Sequence, residues 1–308
     1  MITSRRDLLA GAAAAAGLGA LPAWGQDAAP KPVLPPNPEN RILLSTKLGM
    51  VKKDLGNLEA RMRAAKAAGF DGIELDEAAS ITPEQAAAAV RSTGLFAHGA
   101  IDHKHWEVRH THPDAAVRDQ ALERLKHCVR VSHAAGGSSV LLVIGSSKDG
   151  PEGADRARES IARAIPLAAA LGQRILFENV WNGMFYQDDG PADQKVDGWR
   201  DYIDSFRSPW IGAYFDIGNH ARYGRPGDWI RVLGPRIAKL DVKGYDTRAQ
   251  DKWKGFVDIT AGDLDWADVR KALQEIGFAG WSTAEVRGGD EKRLADICAQ
   301  MKSALLGG

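Results

Sequence analysis

The sequence contains little cysteine and no excess of charge of either sign. Only two of its 308 residues are cysteines, Cys128 and Cys298, which is too few for a disulfide framework. Our helix assignment puts them on the third and eighth helices, which are not neighbours, so no bridge between them is expected. Lys+Arg and Asp+Glu each number 40, and this balance offers no basic surface for nucleic acid or anionic lipid.

The N-terminal segment has the pattern of an export signal. Ser4-Arg5-Arg6 precedes an Ala/Gly/Leu run that ends near Leu21, and small residues follow it. This order is typical of a cleaved signal rather than a spanning helix, and the paired arginines resemble the twin-arginine type; a Sec signal and an uncleaved anchor are the alternatives. We expect a signal over residues 1–25, a proline-rich linker over 26–40, and a periplasmic or otherwise exported protein without membrane contact after cleavage.

From residue 41 onward, short apolar runs alternate with longer amphipathic stretches, at about one unit per 30 residues. Continuous apolar strands that alternate with helices indicate a parallel sheet covered on both faces. Eight units over residues 41–308 fit a closed barrel better than an open sheet, so we predict a single-domain α/β fold, the (β/α)8 TIM barrel. No Gly-x-Gly-x-x-Gly motif follows the first strand, which disfavours dinucleotide binding. The predicted strands are 42–44, 72–75, 95–98, 139–144, 174–178, 211–216, 237–243 and 280–285.

Helix boundaries follow the expected signals. Several helices begin at proline, as at Pro83, and several end at glycine, as at Gly94. The predicted amphipathic stretches include 58–68, 83–92, 113–135, 154–170 and 266–276.

Acidic residues occur at the ends of the later predicted strands. The fifth, sixth and eighth strands end in Glu178, Asp216 and Glu285, and the seventh carries Asp241 and Lys243 on one face. Chemistry in this fold is at the C-terminal ends of the strands, and buried acids need a partner or a metal. Oxygen ligands favour Mg²⁺ or Mn²⁺, so we predict one divalent ion held by the four acids. The alternatives are helix caps or surface acids, and a salt bridge from Lys243 to Asp241 or Glu285.

Four segments carry a resemblance to a known family. Phe177-Glu178-Asn179, Phe215-Asp216-Ile217-Gly218-Asn219-His220, Leu240-Asp241-Val242-Lys243 and Ala284-Glu285-Val286 resemble the xylose-isomerase-like TIM barrels, as do the segments 69–75 and 262–281. That group includes hydroxypyruvate isomerases, ketose 3-epimerases and inosose-processing enzymes. The similarity runs from about residue 41 to the C-terminus; it is specific for the superfamily and weak for the reaction.

The resemblance implies a site with one departure from the family pattern. Members hold a divalent metal by Glu, Asp, His and Glu, and three of these fall on Glu178, Asp216 and Glu285. Asp241 stands in place of the histidine, which makes the site harder and disfavours Zn²⁺. The family often has a histidine three residues after the aspartate, where this chain has Asn219 and then His220. Either is a candidate to face the substrate, and for His220 we favour that position over an outward-facing one.

A histidine-rich segment leaves the third strand at the same end of the barrel. It contains His98, His103, His105, His110 and His112 together with Trp106. We expect His98, His103, His105 and Trp106 to bind substrate, with Trp181 and Arg287 as further wall residues. A solvated loop and a second metal site are the alternatives.

The predicted activity is isomerisation or epimerisation of a small sugar or keto-sugar through a metal-stabilised enediolate. We expect one of Glu178 and Glu285 to remove the carbon-bound proton and the other to return it. Lys243 would stabilise the oxyanion, and His220 is a further catalytic candidate. The alternatives are a lyase or hydrolase of 3-keto-glycosides that uses the same first step, and a non-catalytic sugar-binding barrel. We expect a small sugar as the partner, and a homo-oligomer remains open.

Overall fold

The computed structural model of the protein describes residues 42–307, and these form a closed barrel of eight parallel strands with helices outside it. The predicted (β/α)8 fold is therefore confirmed. The predicted signal (1–25) and linker (26–40) lie outside the described residues. The barrel strands are β1 (Ile42–Lys47), β2 (Gly72–Leu75), β3 (Phe96–Ile101), β4 (Ser139–Leu142), β5 (Arg174–Glu178), β6 (Ile211–Asp216), β7 (Ile237–Val242) and β10 (Gly280–Ala284).

The ring order places the carboxyl ends of all eight strands at one mouth. The strands follow chain order around the ring, and β10 closes it by pairing with β1. In this closing pair Thr46 is opposite Ala284, and between β6 and β7 Asp216 is opposite Asp241. Parallel pairing thus brings residues that end different strands to the same level of the barrel.

The helices begin and end at local sequence signals. Thr82 and Gln85 form a capping box at the start of α2, Pro83 occupies its first turn, and Gly94 ends it in the left-handed conformation. The helices are α1 (Leu58–Ala67), α2 (Pro83–Thr93), α3 (Ala115–Ala134), α4 (Gly153–Ala162), α5 (Ile165–Ala170), α6 (Asp197–Ser205), α7 (Pro226–Leu233), α8 (Trp266–Glu275) and α9 (Glu291–Leu306).

Several sequence-based boundaries need correction, among them those of one helical stretch and of the first strand. The predicted helical stretch 154–170 is divided into α4 and α5, and Pro166 lies in the first turn of α5; proline has no N–H to donate and disrupts a continuing helix. The predicted first strand, 42–44, extends to Lys47 because its ladder with β10 continues through Thr46 and its ladder with β2 through Lys47. Pairing with neighbouring strands therefore extends β1 beyond its apolar run.

The apolar core fills the space between the barrel and its helices, while the barrel interior contains a buried polar layer. Ser45, Glu74, Tyr214 and Thr283 are all fully buried there, and the Tyr214 hydroxyl donates to Glu74 Oε2 at 3.0 Å. Such a layer is stable only when its polar groups have partners.

Both cysteines are buried and free, which agrees with the expectation of no bridge between them. Within residues 42–307, no helix combines the length and apolar character needed to cross a membrane.

The longest irregular connection at the mouth follows β7. It contains a short antiparallel hairpin, β8 (Gly244–Tyr245) and β9 (Phe256–Val257), before α8 begins. A Cβ added to Gly244 would lie 2.1 Å from the Asp258 carbonyl oxygen, so glycine is required for this segment to fold back closely. The segment forms one wall of the pocket at the barrel mouth.

Candidate active site

A pocket of about 640 Å³ opens at the C-terminal end of the barrel. This volume is ordinary for a site that binds a small molecule. Its floor is charged and its upper walls are aromatic. The side chains that line it include Lys47, Asp76, His103, His105, Trp106, Glu178, Trp181, Asn219, Lys243, Trp253, Phe256 and Glu285.

The four predicted carboxylates meet beneath this pocket. Glu178 ends β5, Asp216 ends β6, Asp241 lies in β7, and Glu285 directly follows β10. One carboxylate oxygen from each residue lies within 4.8 Å of the others. Glu178, Asp216 and Asp241 are buried, and Glu285 is partly exposed. The structure therefore assembles the acid cluster that the strand ends predicted.

Two lysines lie among these acids. Lys47, at the end of β1, is 6% exposed, and its Nζ lies 2.9 Å from Asp241 Oδ2 and 2.5 Å from Glu285 Oε1. Lys243 Nζ lies 3.0 Å from Asp216 Oδ2 and contacts Glu285 Oε2. Of the two salt bridges considered for Lys243, the structure forms the one to Glu285, because Asp241 is paired with Lys47.

The surroundings shift the pKa values of these acids in opposite directions. Burial, reinforced by the Glu285 carboxylate, raises the pKa of Glu178 to about 8, and burial raises the pKa of Asp216 to about 6. Burial opposes ionisation of Glu285 too, but the Lys243 and Lys47 ammonium groups outweigh it and lower the pKa of this carboxyl. In the protein without a bound cation, Glu285 is therefore held ionised at neutral pH, while the protonated form of Glu178 is favoured.

The cluster could hold a metal ion. Asp216 Oδ2, Asp241 Oδ1 and Glu285 Oε2 are buried and lack a partner in hydrogen-bonding geometry among the described residues. With all four carboxylates ionised, as they would be around a bound cation, the two ammonium groups leave two negative charges, which one divalent ion would neutralise. Oxygens bound at about 2.1 Å from one ion are at most about 4.2 Å apart, so small side-chain movements would suffice. The all-oxygen donor set fits Mg²⁺ or Mn²⁺.

Asn219, rather than His220, faces this site. The backbone N–H groups of Gly218 and Asn219 donate to Asp216 Oδ1 at 2.8 and 2.7 Å, and this turn directs Asn219 inward. Asn219 Nδ2 donates to Glu178 Oε1 at 3.1 Å, and its Oδ1 accepts from Lys243 Nζ at 3.0 Å. His220 is buried outside the main pocket against Tyr186 and Trp229, which corrects the preference for His220.

The histidine-rich segment is divided between pocket and core. His103, His105 and Trp106 line the pocket. His98 does not, because β3 continues to Ile101 and leaves His98 in mid-strand inside the barrel. There its ring stacks on Trp281 at 4.6 Å, and its Nε2 lies 2.7 Å from Ser45 Oγ. His98 therefore lies inside the barrel beneath the pocket floor, and not in the substrate-contacting position that we expected.

Ion pairs fix this segment at both ends. Arg124 donates to both carboxylate oxygens of Asp102, at 2.6 and 2.9 Å. Arg109 donates to both oxygens of Asp149, at 2.7 Å each. Bidentate pairs of this kind combine strength with a defined orientation, so the loop that carries Trp106 has a firm frame.

His110 provides a test of this frame through the pH dependence of stability. Its Nδ1 lies 2.8 Å from Ser160 Oγ, and burial lowers its pKa to about 3. The unfolded chain binds the proton near pH 6.5, so stability should fall as the pH drops below that value. We expect His110 to contribute a loss of about 2 kcal/mol between pH 7 and pH 5.

Urea unfolding at both pH values measures this contribution, with His110→Asn as the matched variant because its amide can keep a bond to Ser160. The loss between pH 7 and pH 5 should be smaller in the variant. An equal loss in both proteins would contradict the assignment.

Trp181 and Arg287 have different positions relative to the pocket. Trp181 lines it, and its ring centroid lies 4.9 Å from those of Trp253 and Phe256. Arg287 is exposed and lines a smaller neighbouring cavity beside Lys243 and Glu285. Trp181 is therefore part of the pocket wall, while Arg287 lies outside the main pocket.

Sequence reasoning missed several pocket residues, notably Lys47, Trp253 and Phe256. Lys47 follows the polar pair Ser45-Thr46, so it falls outside the apolar run of β1. A three-residue strand is short for a barrel, and extension to about six residues would have reached Lys47. Trp253 and Phe256 lie in an irregular segment that no periodic pattern marks.

Several solved structures are similar to this chain. D-allulose 3-epimerase from Methylomonas sp. has 19% identity and a TM-score of 0.64, and the match covers 86% of this chain and 98% of that one. D-psicose 3-epimerase from Clostridium cellulolyticum H10, solved with D-tagatose, has 15% identity, a TM-score of 0.66 and coverages of 85% and 98%. 3-Keto-D-glucoside 4-epimerase from E. coli has 16% identity and a TM-score of 0.63, and the match covers 85% of this chain and 99% of that one. At these identities the likeness concerns the fold.

A comparison with curated proteins finds no match to this chain. The family model described as "Xylose isomerase-like TIM barrel" matches residues 62–304. That range includes seven of the eight barrel strands and all four clustered acids. With the closed barrel, the acid cluster at its mouth and this match, the chain belongs to the xylose isomerase-like TIM barrel family.

Proposed function

We propose that this protein is a divalent-metal-dependent isomerase or epimerase of a small sugar or keto-sugar. The observation that carries the proposal is the cluster of Glu178, Asp216, Asp241 and Glu285 at the floor of a pocket of sugar-binding size. Buried acids that outnumber the cationic side chains beside them are costly unless a cation or a reaction requires them. Enzymes of sugar isomerisation and epimerisation also occur among the structural neighbours.

The four acids would hold the ion, and when bound it would polarise the substrate carbonyl and offset the negative charge that develops on its oxygen. Glu178 and Glu285 come from β5 and from the end of β10, so they approach the pocket floor from different strands. Glu285, which Lys243 and Lys47 keep ionised at neutral pH, is the candidate to remove a carbon-bound proton. Glu178, with its raised pKa, is suited to return one.

Lys243 and Asn219 support this pair. Lys243 Nζ lies 5.2 Å from the centre of the Phe256 ring and beside Asp216, at the edge of the pocket. From there its charge would stabilise an oxyanion on the substrate. Asn219 connects Lys243 to Glu178 by two hydrogen bonds and so fixes the distance between a cationic and an acidic group.

The alternative of a 3-keto-glycoside lyase or hydrolase begins with the same deprotonation and differs in the group that leaves afterwards. Product analysis separates it from isomerisation. A non-catalytic sugar-binding barrel would bind sugar without exchanging carbon-bound hydrogen.

We expect the purified protein to contain one divalent ion per chain, with lower occupancy in Glu178→Gln, Asp216→Asn, Asp241→Asn and Glu285→Gln. The reason is that each variant removes one charged ligand from a four-acid cluster. Elemental analysis of the isolated proteins measures occupancy. Glu152→Gln, on an exposed surface, is the matched control. Equal metal content in all of these proteins would contradict the proposal.

A second test, after the measurement of metal occupancy, addresses catalysis. A panel of ketohexoses in deuterated water, with and without Mn²⁺, should show metal-dependent exchange of a carbon-bound hydrogen in at least one member. Sugar binding without exchange would favour the binding-protein alternative.

We also propose export of the protein by the twin-arginine route, supported by Ser4-Arg5-Arg6 ahead of an alanine-rich segment. Replacement of Arg5 and Arg6 by lysine should retain the precursor in the cytoplasm, which cell fractionation and immunoblotting measure. Replacement of Lys31, in the proline-rich stretch, is the control. Normal accumulation of the double variant outside the cytoplasm would refute this route.

A further inference from the structure

The upper part of the pocket contains two unusually exposed tryptophans. Trp106 is 47% exposed and Trp253 is 63% exposed, and both line the pocket. Among the described residues, the other large apolar side chains with comparable exposure are Val232 and Leu306, and neither lines the pocket. Exposed aromatic side chains that rim a pocket mark a surface that a ligand can cover.

The topology places these tryptophans on opposite sides of the mouth. Trp106 follows β3, and Trp253 lies between β7 and α8. In the ring, β3 and β7 are separated by three strands in either direction. Segments that leave these two strands therefore approach the mouth from opposite sides, above the acid cluster.

Both tryptophans are held although they are exposed. The Trp253 ring packs edge-on against Trp181 at 4.9 Å, and the preceding residue, Lys252, donates to Asp188 at 2.7 Å and to Asp189 at 3.0 Å. The Trp106 carbonyl accepts from Arg109 Nη1 at 3.1 Å. These contacts order the Trp253 ring and the backbone that carries Trp106 before a ligand binds, which lowers the ordering cost of binding.

The pocket is larger than one sugar ring requires. A covalently bonded non-hydrogen atom takes up less space than the about 30 Å³ of a liquid water molecule, so 640 Å³ holds at least roughly twenty such atoms. A hexose has about twelve, so a sugar on the acidic floor leaves space for nearly one more ring. That space is flanked by the two tryptophans, whose faces suit the apolar face of a pyranose.

We propose that the mouth is a second sugar-ring subsite and that the substrate is a glycoside. One ring, the reacting keto-sugar, would lie on the acid cluster, and a second, glycosidically linked ring would lie against Trp106 and Trp253. This inference rests on the proposed function and specifies the substrate class of the same site. It assigns binding, rather than proton transfer, to the two tryptophans.

The test is equilibrium binding of D-fructose and lactulose, in which a fructose carries a second, galactosyl ring. By calorimetry the protein should bind lactulose about tenfold or more tightly than D-fructose. Trp106→Ala and Trp253→Ala should each weaken lactulose binding by about three- to tenfold and leave D-fructose binding nearly unchanged. The corresponding Phe variants should retain most of the affinity, and Val232→Ala should have no effect.

Equal affinity for the two sugars, or no measurable binding of lactulose, would overturn the proposal, as would an equal loss of both sugars in the Trp→Ala variants. Methyl and phenyl β-D-glucosides form a second pair: a preference for the phenyl compound without one for lactulose would assign the mouth to an aromatic group instead of a sugar ring. Because binding needs no turnover, these outcomes are distinct from a failure of the exchange assay, which tests the proposed function.

Discussion

Replacement of Glu285 by glutamine should lower both turnover and hydrogen exchange by about 10²–10⁴-fold, the usual cost of losing a general base. Glutamine keeps the shape and an oxygen of the side chain but cannot accept the proton. Glu285 is the assigned base because Lys243 and Lys47 keep its carboxylate ionised at neutral pH, whereas burial raises the pKa of Glu178 to about 8 and favours its protonated form. Isomerase, epimerase and lyase reactions all begin with this step, so the expectation holds for each.

The measurement requires saturating Mn²⁺ and a determination of metal occupancy in the same sample, since loss of the ion would also abolish activity. Exchange of the carbon-bound hydrogen with deuterated water reports the proton transfer directly. Glu107→Gln, an exposed residue paired with Lys104, is the control. If the metal-loaded Glu285→Gln protein kept wild-type turnover and exchange, Glu285 would be a structural residue and the base would move to Glu178.

Replacement of Lys47 by methionine should destabilise the metal-free protein by about 3–5 kcal/mol, the usual cost of removing one partner of a buried ion pair. Lys47 Nζ lies 2.9 Å from Asp241 Oδ2 and 2.5 Å from Glu285 Oε1. Without the Lys47 ammonium group the cluster carries one more negative charge. A divalent ion should therefore bind to the variant at least about tenfold more tightly than to the wild-type protein. Mn²⁺ should therefore restore much of the lost stability.

Urea unfolding followed by circular dichroism, with and without Mn²⁺, measures the first effect, and calorimetric titration with Mn²⁺ measures the second. Lys52→Met is the matched control, because Lys52 is exposed and pairs only with the exposed Asp54 among the described residues; it should change neither quantity. A loss of stability of equal size with and without Mn²⁺ would make Lys47 a packing residue rather than a counter-ion to the acids.

The fold and half of the site follow from local patterns. Glu178, Asp216 and Glu285 each come at the end of an apolar run, so their place at the barrel mouth could be predicted once the eight units were recognised. The predicted position of His98 was wrong because the end of its strand was placed too early. It looked like the end of a strand, but β3 continues three residues further, and this extension leaves its ring inside the barrel.

Residues that depend on side-chain direction were harder to predict. Asn219 and His220 are adjacent in the chain, and only the turn held by Asp216 Oδ1 directs the first into the pocket and leaves the second outside it. Trp253 lies in an irregular connection whose path depends on the hairpin of β8 and β9. No hydrophobic periodicity in the sequence indicates the direction of the Asn219 side chain or the path of the connection that carries Trp253.

The amino-acid sequence by itself determined the alternation of strands and helices, their caps, and the acids that end the later strands, because these are properties of neighbouring residues. Only the tertiary structure decided that Lys47 meets Asp241, 194 positions away, and Glu285, 238 positions away. That meeting requires the ring to close with β1 against β10. Closure is a cooperative property of the whole barrel, so the charge balance of the site is set by long-range pairing that no single segment encodes.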